Sequence, residues 1–370
     1  MKKILFLIHD LGAGGAEKVL VNLVNHLDRS RFDITLIALF GGGVNEQFLK
    51  RDIHYRALFG RTVPGNSRLM KLLSPAALHK WFIREHFDIE VAYLEGPSAR
   101  IISGCKDEGT ATAAWIHGQM HTKERAAASF RSYAEAAECY GHFRKIICVS
   151  EGVRENFRTV FPDIQNSMVL YNTNETASIL AKRNEQPGDN IFSDGEIRIC
   201  GVGKLVPGKG FDRLARIHAG LAEEGFPVHT YLLGEGPERE RIEQYVKEKH
   251  LEDSFTLLGY QTNPYQYIGR CDLFVCTSLS EGFSTAATEA LILGNAVVTA
   301  PVSGMREMLG ENNEYGIIAE DGEEALYREV RGLVSDPEKL KDYKQRAEQR
   351  GRFFSTENTV RAVEEMLEHL

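Results

Sequence analysis

The sequence alternates short apolar runs with segments whose apolar residues recur at helical spacing. The run at 3–8 is followed by a glycine-containing loop, then by a segment from about Gly15 to Leu27 whose apolar residues share one helical face. Similar strand-like runs recur at 33–39, 89–94, 112–117 and 145–150. Strands that alternate with helices predict an α/β fold with parallel sheets.

The alternation stops once and then restarts. Residues 177–196 lose the apolar periodicity and collect Pro, Gly, Asn and Asp, which predicts a linker. Strand-like runs then follow at 197–202, 228–233, 254–258, 272–277 and 295–299, with helices from about 211, around 238–249 and at 284–293.

A length of 370 residues is also long for a single core. We therefore predict two Rossmann-like domains, residues 1–176 and 197–352, whose parallel sheets face each other across a cleft. Ligands of such sheets bind beyond the carboxyl ends of the strands.

Composition excludes several classes of protein. Residues 1–180 carry 22 basic and 19 acidic side chains, whereas the remainder carries 22 basic and 33 acidic ones, which does not favour nucleic-acid binding. The weakly basic first part is compatible with an anionic partner such as a phospholipid surface. No apolar run approaches the roughly 18 residues of a membrane span, and the run at 4–8 is too short for a signal peptide. Six cysteines without a CxxC pair indicate a reducing cytosol and disfavour zinc.

The first glycine loop contains Gly14 and Gly15 and imitates a dinucleotide-binding fingerprint. The third glycine of that fingerprint is replaced by Glu17, and the next strand ends in Leu39-Phe40-Gly41 without the ribose-binding acid. We therefore exclude a dehydrogenase. Two interpretations remain, an anion or close-contact site at a helix N-terminus and a simple tight turn.

The second glycine loop, from Gly203 to Gly210, imitates a P-loop. It places Gly210 where a Ser or Thr must ligate magnesium, so a P-loop NTPase is excluded. Lys204 and Lys209 remain as candidate ligands of a diphosphate, each contributing about 1.5–3 kcal/mol through charged hydrogen bonds. The alternative is two solvated surface lysines.

The segment Glu281-Gly-Phe-Ser-Thr-Ala-Ala-Thr-Glu289 follows an apolar strand directly. Ser284 or Thr285 is a suitable N-cap, so a helix N-terminus with small side chains and bare backbone N–H groups follows Gly282. These groups suit the diphosphate of a sugar nucleotide, and a carboxylate can accept both hydroxyls of a ribose diol. Alternatively, the two glutamates serve only the helix dipole and a solvated face.

In these motifs the chain resembles the retaining family-4 glycosyltransferases of the GT-B fold, which make bacterial surface polysaccharides and glycolipids. The resemblance covers about residues 3–310. Its marks are Gly14-Gly15-Ala16-Glu17, Gly203-Lys204-Leu205 with Lys209-Gly210, Gly234-Glu-Gly236, Glu281-Gly-Phe with seven residues before Glu289, and Ala290-Leu-Ile-Leu-Gly294. The family usually has arginine where Lys204 stands, and commonly has bulkier residues after Phe283.

The resemblance implies a role for each site residue. Glu289 holds the donor ribose, Lys204 and Lys209 neutralise the diphosphate, and Glu281 lies near the hydroxyls of the transferred sugar. His117 meets the sugar from the first domain. The resemblance also implies contacts with the diphosphate and sugar of the donor at Gly203, Gly282, Phe283, Ser284 and Thr285. It implies a contact with the acceptor or the diphosphate at the loop Gly14-Gly15. The segment 353–370 is expected to pack back on the first domain.

The implied activity is transfer of a hexose from a nucleotide-diphosphate sugar, UDP favoured over GDP, to a glycan or polyprenyl-diphosphate-linked acceptor, with retention. The sequence contains no Asp-x-Asp motif, so we expect neither a metal nor another cofactor, and lysines with a helix N-terminus replace the cation. We expect a cytoplasmic protein, peripheral at the inner membrane.

The basic and apolar residues 61–86 are a candidate contact with lipid; the alternative is helices that pack on the sheet. Two other functions stay open, a nucleotide-sugar 2-epimerase and a non-catalytic nucleotide-sugar-binding protein.

Overall fold

The computed structural model describes residues 1–61, 70–187 and 191–370. The chain divides into two compact units, the first comprising Met1–Asn174 with Thr356–Leu370 and the second Glu175–Ser355. Each unit contains one parallel sheet, of seven strands in the first and six in the second. The predicted fold class, two Rossmann-like domains with parallel sheets, is confirmed.

The first sheet is ordered β3-β2-β1-β4-β5-β6-β7. Its strands are β1 (Lys2–Ile8), β2 (Phe32–Phe40), β3 (His54–Phe59), β4 (Ile89–Tyr93), β5 (Ala111–Ile116), β6 (Lys145–Cys148) and β7 (Ser167–Val169). The strand order reverses between β1 and β4, which pair in parallel. This reversal is the switch point beside which ligands of doubly wound sheets bind.

The helices of the first unit cover both faces of this sheet, as parallel crossovers require. They are Gly15–His26, Pro75–Phe82, Pro97–Ile102, Lys123–Ala126, Tyr133–Gly141, Glu151–Val160 and Thr356–Glu368, with a 3₁₀ turn at Glu46–Phe48. Three of them begin at a serine, Ser74, Ser132 or Ser150, whose hydroxyl accepts a hydrogen bond from an N–H of the first turn.

The second sheet is ordered β10-β9-β8-β11-β12-β13. Its strands are β8 (Ile197–Val202), β9 (Val228–Leu233), β10 (Phe255–Gly259), β11 (Leu273–Cys276), β12 (Ala296–Thr299) and β13 (Ile317–Ile318). Its helices are Thr176–Lys182, Phe211–Glu223, Arg239–Glu248, Tyr265–Ile268, Thr285–Leu293, Met305–Leu309, Glu323–Val334 and Pro337–Phe353, with a 3₁₀ turn at Pro207–Lys209. The order reverses between β8 and β11, so loops that leave these two strands meet at the switch point.

The final helix, Thr356–Glu368, belongs to the first unit although it follows the second in sequence. The Arg31 guanidinium lies 2.8 Å from the Glu364 carboxylate and 2.5 Å from that of Glu368. The backbone N–H of Asp28 also donates to Glu364, at 2.7 Å. The division falls between Ser355 and Thr356, three residues after the start of the predicted segment 353–370.

The predicted linker 177–196 contains packed residues near both of its ends, and the second unit already starts at Glu175. Thr176–Lys182 forms a helix that packs on the helix Thr285–Leu293, and Ile179 is 1% exposed. The ring of Phe192 lies 4.9 Å from that of Tyr231. A helix of seven residues is too short to produce a recognisable periodicity, although it suffices to bury one side chain. Residues 188–190 lie outside the described part of the chain.

Within the described ranges, no helix has both the length and the apolar character that crossing a bilayer requires.

Candidate active site

Two glycine loops of the second unit touch backbone to backbone at the ends of β8 and β9. Gly203 has φ 156°, Gly234 has φ 140°, and a Cβ on Gly234 would collide with the carbonyl oxygen of Gly203. Two hydrogen bonds continue the pairing past the strands, from the N–H of Gly203 to Leu233 at 3.0 Å and from that of Leu205 to Glu235 at 2.9 Å. This close approach requires a glycine at 234, while the assignment of Gly203 to the donor stays a prediction.

The structure brings Lys209 and Glu281 together. Lys209 Nζ lies 2.6 Å from Glu281 Oε1, and the Ser278 hydroxyl donates to the same oxygen at 2.6 Å. The side chains of Lys209 and Glu281 are 31% and 11% exposed. A cation and a carboxylate therefore share one partly solvated point beyond the end of β11.

The backbone fixes this pair. Gly210 has φ 63°, and a Cβ there would collide with the carbonyl oxygen of Thr277. The Thr277 hydroxyl donates to the carbonyl of Lys209 at 2.9 Å, and the N–H of Leu279 donates to Gly208 at 2.9 Å. The loop after β8 is thus bound to the loop after β11, and the lysine is held opposite the glutamate.

Ser284 is the N-cap of the helix Thr285–Leu293, and its hydroxyl accepts from the N–H of Ala287 at 3.3 Å. Phe283 is 5% exposed and its ring packs against that of Phe354 at 5.7 Å. The buried aromatic ring anchors the loop in the core. The predicted donor contacts of Phe283 and Ser284 stay predictions.

Glu289 lies inside the second unit, 4% exposed. Its Oε1 accepts a hydrogen bond from the hydroxyl of Tyr265 at 3.0 Å, and Tyr265 is itself buried. Sequence reasoning missed Tyr265, because nothing in the spacing connects the short helix Tyr265–Ile268 to Glu289. The assignment of Glu289 to the donor ribose stays a prediction.

The remaining predicted cation, Lys204, is exposed and forms no ion pair with the described residues. A cation that the sequence reasoning missed, Arg213, contacts the carbonyl of Thr277 at 3.3 Å from the first turn of the helix Phe211–Glu223. Two side chains, Arg213 and Lys209, therefore bring positive charge to the carbonyl edge of β11.

In the first unit, His117 follows β5 and lies against Tyr93 at the end of β4, with ring centroids 4.7 Å apart. The backbone N–H of His117 donates a hydrogen bond to Glu95 Oε2 at 3.0 Å. The two strands are neighbours, and Leu94 between Tyr93 and Glu95 has φ 80°. This left-handed backbone is costly for a leucine and is typical of functional sites. Glu95 was missed, since the sequence does not reveal the turn that directs it.

Burial sets the charge of these groups. Burial lowers the pKa of His117 to about 3, so the imidazole is neutral at neutral pH, and its Nε2 is buried without a partner among the described residues. Burial also raises the pKa of Glu95, partly offset by the N–H groups of His117 and Gly118. A neutral imidazole can donate or accept a hydrogen bond to a hydroxyl.

The loop Gly14-Gly15 begins the helix Gly15–His26 after β1, with Gly14 at the N-cap. The Glu17 carboxylate folds back over Gly14, where a Cβ would collide with it. Burial raises the pKa of Glu17, and the nearby Asp10 adds to the effect. The assignment of this loop to the acceptor or the diphosphate stays a prediction.

The candidate lipid-contact segment 61–86 is described only in part, because 62–69 lie outside the described residues. Trp81 is 57% exposed and stacks on Phe82 at 5.6 Å, which meets the exposed Phe59 at 5.8 Å. Leu72 is 77% exposed. Exposed basic groups, Lys80 and Arg84, flank this aromatic group.

Comparison with solved structures identifies the fold. The chain matches Anabaena HepE in complex with UDP and glucose with a TM-score of 0.80, 20% identity and full coverage of both chains. It matches the lipopolysaccharide outer core galactosyltransferase WaaB with a TM-score of 0.73, 16% identity and full coverage. The architecture is that of the GT-B glycosyltransferases.

Sequence families identify the enzyme. Residues 13–176 match Glycosyltransferase Family 4, and residues 182–350 match Glycosyl transferases group 1. The protein is a glycosyltransferase built from these two domains.

Two curated relatives extend over nearly the whole chain. One is the N-acetylgalactosamine-N,N'-diacetylbacillosaminyl-diphospho-undecaprenol 4-alpha-N-acetylgalactosaminyltransferase of Campylobacter jejuni, 28% identical over the full length of both chains. The other is the lipopolysaccharide core biosynthesis glycosyltransferase LpsD of Rhizobium meliloti, 24% identical, with 89% of this chain and 88% of the relative covered.

Proposed function

We propose that the protein transfers a hexose or N-acetylhexosamine from a UDP-sugar to a hydroxyl of a lipid-linked glycan, with retention of configuration and without a metal. The contact of Lys209 with Glu281 beside a helix N-terminus carries this proposal. A nucleotide sugar needs positive charge at its diphosphate and acceptors at its sugar hydroxyls, and this point of the fold offers both.

On the donor side, Lys209 and the backbone N–H groups after Gly282 bind the diphosphate, and Glu281 accepts hydrogen bonds from the sugar. Charge develops on the departing diphosphate in the transition state, so a fixed ammonium and a helix N-terminus lower the barrier. Lys204, exposed at the preceding loop, adds a second cation. Glu289 serves the ribose through the carboxylate that Tyr265 orients.

The proposed base of the donor nucleotide rests on the similarity of this chain to other proteins. A structural neighbour was solved with UDP and glucose, and the Campylobacter relative transfers N-acetylgalactosamine. The first observation supports UDP over GDP, and the two together leave the sugar between a hexose and an N-acetylhexosamine.

The acceptor side belongs to the first domain. The Campylobacter relative acts on a diphospho-undecaprenol-linked sugar, and the Rhizobium relative belongs to lipopolysaccharide core biosynthesis. A lipid-linked acceptor lies at a membrane surface, where exposed Trp81 and Leu72 with Lys80 and Arg84 suit the boundary between apolar and anionic groups. We therefore propose peripheral association with the cytoplasmic face of the membrane.

Nucleotide release tests this function directly. The protein is incubated with UDP-, GDP- and ADP-sugars, each with and without a polyprenyl-diphosphate-linked saccharide, and free nucleotide is measured. We expect release of UDP that depends on the acceptor, and little release from Glu281→Gln. Conversion of the donor sugar without an acceptor would indicate an epimerase and contradict the proposal, as would binding without turnover on any lipid-linked acceptor.

A further inference from the structure

A cluster of three metal-ligating side chains lies in the first unit. One ligand atom each from His79, Glu90 and Cys105 lies within 4.8 Å of the other two. His79 Nε2 is 2.7 Å from Glu90 Oε2. In residues 1–61, 70–187 and 191–370, no other group of three or more His, Cys, Asp or Glu side chains comes this close.

The cluster is built around a carboxylate in the core. Glu90 is the second residue of β4, paired with Leu5 on one side and Thr112 on the other, and its side chain is 2% exposed. A buried carboxylate needs a partner or a cation, and in this structure the partner of Glu90 is His79. His79 is 14% exposed and Cys105 is partly exposed, so the cluster opens toward solvent on one side.

A glycine brings Cys105 to this place. A Cβ on Gly104 would collide with the carbonyl oxygen of Pro75, the first residue of the helix that carries His79. The absence of that side chain lets the turn after the helix Pro97–Ile102 pass directly over the helix Pro75–Phe82.

A buried arginine fixes the two helices to each other. Arg100 is 1% exposed and donates to the carbonyls of Met70 at 2.7 Å and Leu73 at 2.8 Å, just before the helix that carries His79. Its guanidinium also pairs with Glu135 at 2.9 Å. The side chains of His79 and Cys105, the two neighbours of Glu90 in the cluster, therefore belong to backbone segments that are held to each other. A preorganised metal site requires such support.

We propose that His79, Glu90 and Cys105 bind a zinc ion, with water as the fourth ligand. An imidazole nitrogen, a carboxylate oxygen and a thiolate are the three ligand types that zinc takes in proteins, at about 2.0–2.3 Å. Ligand atoms on a tetrahedral ion of that size are on the order of 3.5 Å apart. The contact of His79 with Glu90 must then open by roughly 1 Å, which a rotation of either side chain provides.

The position indicates a structural role. Glu90 is near the amino end of β4, whereas Glu95 and His117 follow the carboxyl ends of β4 and β5. An ion there ties the helix Pro75–Phe82, which carries the exposed Trp81, to the sheet. The chemistry of glycosyl transfer does not involve this site, so the inference is independent of the proposed function.

The same region contains a matched control. His86 Nδ1 lies 2.7 Å from Asp107 Oδ2, with both side chains more than half exposed. This is a histidine–carboxylate pair without a cysteine, so His86→Gln removes a comparable contact without touching the cluster. Cys139, which is buried and outside the cluster, provides a cysteine control.

Cobalt is the probe, because a cobalt–thiolate bond gives a near-ultraviolet charge-transfer band. The full chain is reduced, stripped with a chelator, desalted and titrated with Co²⁺, and Zn²⁺ is then added to displace it. We expect one Co²⁺ per chain with that band in wild type, Cys139→Ser and His86→Gln. The band is lost in Cys105→Ser, and His79→Gln weakens binding by at least about tenfold.

A second measurement needs no variant. Zn²⁺ should slow the alkylation of Cys105 by iodoacetamide in the wild-type protein, and peptide mass spectrometry measures the rate. As a control, a free thiol is added after the excess ion is removed. Its alkylation rate should be unchanged. The proposal is overturned if wild type shows no thiolate band, if the band survives Cys105→Ser, or if Zn²⁺ leaves the alkylation of Cys105 unchanged.

Discussion

Lys209 Nζ and Glu281 Oε1 lie 2.6 Å apart, although 71 residues separate them in the sequence. The Ser278 hydroxyl approaches the same oxygen, also at 2.6 Å. The contacts with Lys209 and with Ser278 therefore both involve Oε1 of Glu281. One carboxylate oxygen is thus engaged with the protein, and the Glu281 side chain as a whole is 11% exposed.

Glu281→Gln should lower kcat by about 10²-fold, because the amide keeps the shape of the side chain and loses the charge that the sugar and Lys209 require. Initial rates with UDP-sugar and acceptor measure this change. Glu223→Gln, an exposed carboxylate 3.7 Å from Lys249, should leave kcat within about twofold of wild type. Equal rates in wild type and Glu281→Gln would remove Glu281 from the mechanism.

UDP should raise the Tm of the wild-type protein, and Glu289→Ala should abolish the increase because the ribose loses its acceptor. Thermal unfolding at saturating UDP measures this. Tyr265→Phe is the matched variant, since it removes only the hydroxyl 3.0 Å from Glu289. It should lower the baseline Tm and reduce the UDP-dependent shift only in part, because the carboxylate stays but loses the hydroxyl that orients it. A shift that persists in Glu289→Ala contradicts the ribose assignment.

Extended dialysis against EDTA should leave the initial rate unchanged, because lysines and backbone N–H groups supply the positive charge at the diphosphate. The assay is run on Cys105→Ser as well, so that loss of an ion from the cluster of His79, Glu90 and Cys105 is separated from any effect on the reaction. A rate that falls with EDTA in both proteins and returns with Mg²⁺ or Mn²⁺ would show that the transfer depends on a metal.

Trp81→Ser should weaken binding to vesicles containing anionic phospholipid by about tenfold, since an exposed aromatic ring at the interface contributes apolar burial. Sedimentation with vesicles measures the bound fraction. Tyr260→Ser, which removes a 61% exposed aromatic side chain from the second unit, should bind like wild type. Equal loss in both variants, or no loss in Trp81→Ser, would contradict a contact at Trp81.

Acid should destabilise the second unit through His218. This buried ring lies 2.9 Å from both Ser254 Oγ and Thr230 Oγ1, and burial lowers its pKa to about 4, with a smaller effect from His229. The ring takes up a proton near pH 6.5 when unfolded but only near pH 4 when folded. The free energy of unfolding therefore falls by about 3 kcal/mol as the pH drops from 6.5 to 4.

Urea unfolding across this pH range tests the linkage. His218→Gln should show a smaller dependence of the unfolding free energy on pH, whereas His250→Gln, at an exposed position, should show the wild-type dependence. Identical slopes in wild type and His218→Gln would mean that His218 does not control acid stability.

The central strands of both sheets were predictable because parallel strands buried on both faces are continuous apolar runs. The run at 3–8 became β1, Lys2–Ile8, and the run at 197–202 became β8 with the same bounds. Two of the edge strands carry no such signal. The strand His54–Phe59 mixes exposed and half-buried side chains, and Ile317–Ile318 has only two residues.

The site was predictable as a set of loops but not as a set of contacts. The glycine residues and the small side chains after Glu281 indicated the loops at 203–210 and 281–289. The burial of Glu289 against Tyr265 and the turn that directs Glu95 to His117 depend on tertiary packing. The cluster of His79, Glu90 and Cys105 left no motif, since its ligands come from a helix, a strand and a turn.

Calorimetric titration of UDP into the wild type, Lys209→Ala and Lys249→Ala tests the central claim, that the second domain holds a nucleotide diphosphate through Lys209. One site per chain is expected in wild type, with affinity unchanged in Lys249→Ala and at least about tenfold weaker in Lys209→Ala, since a charged hydrogen bond contributes about 1.5–3 kcal/mol. Equal affinity in all three proteins, or no binding of UDP to the wild type, would contradict it.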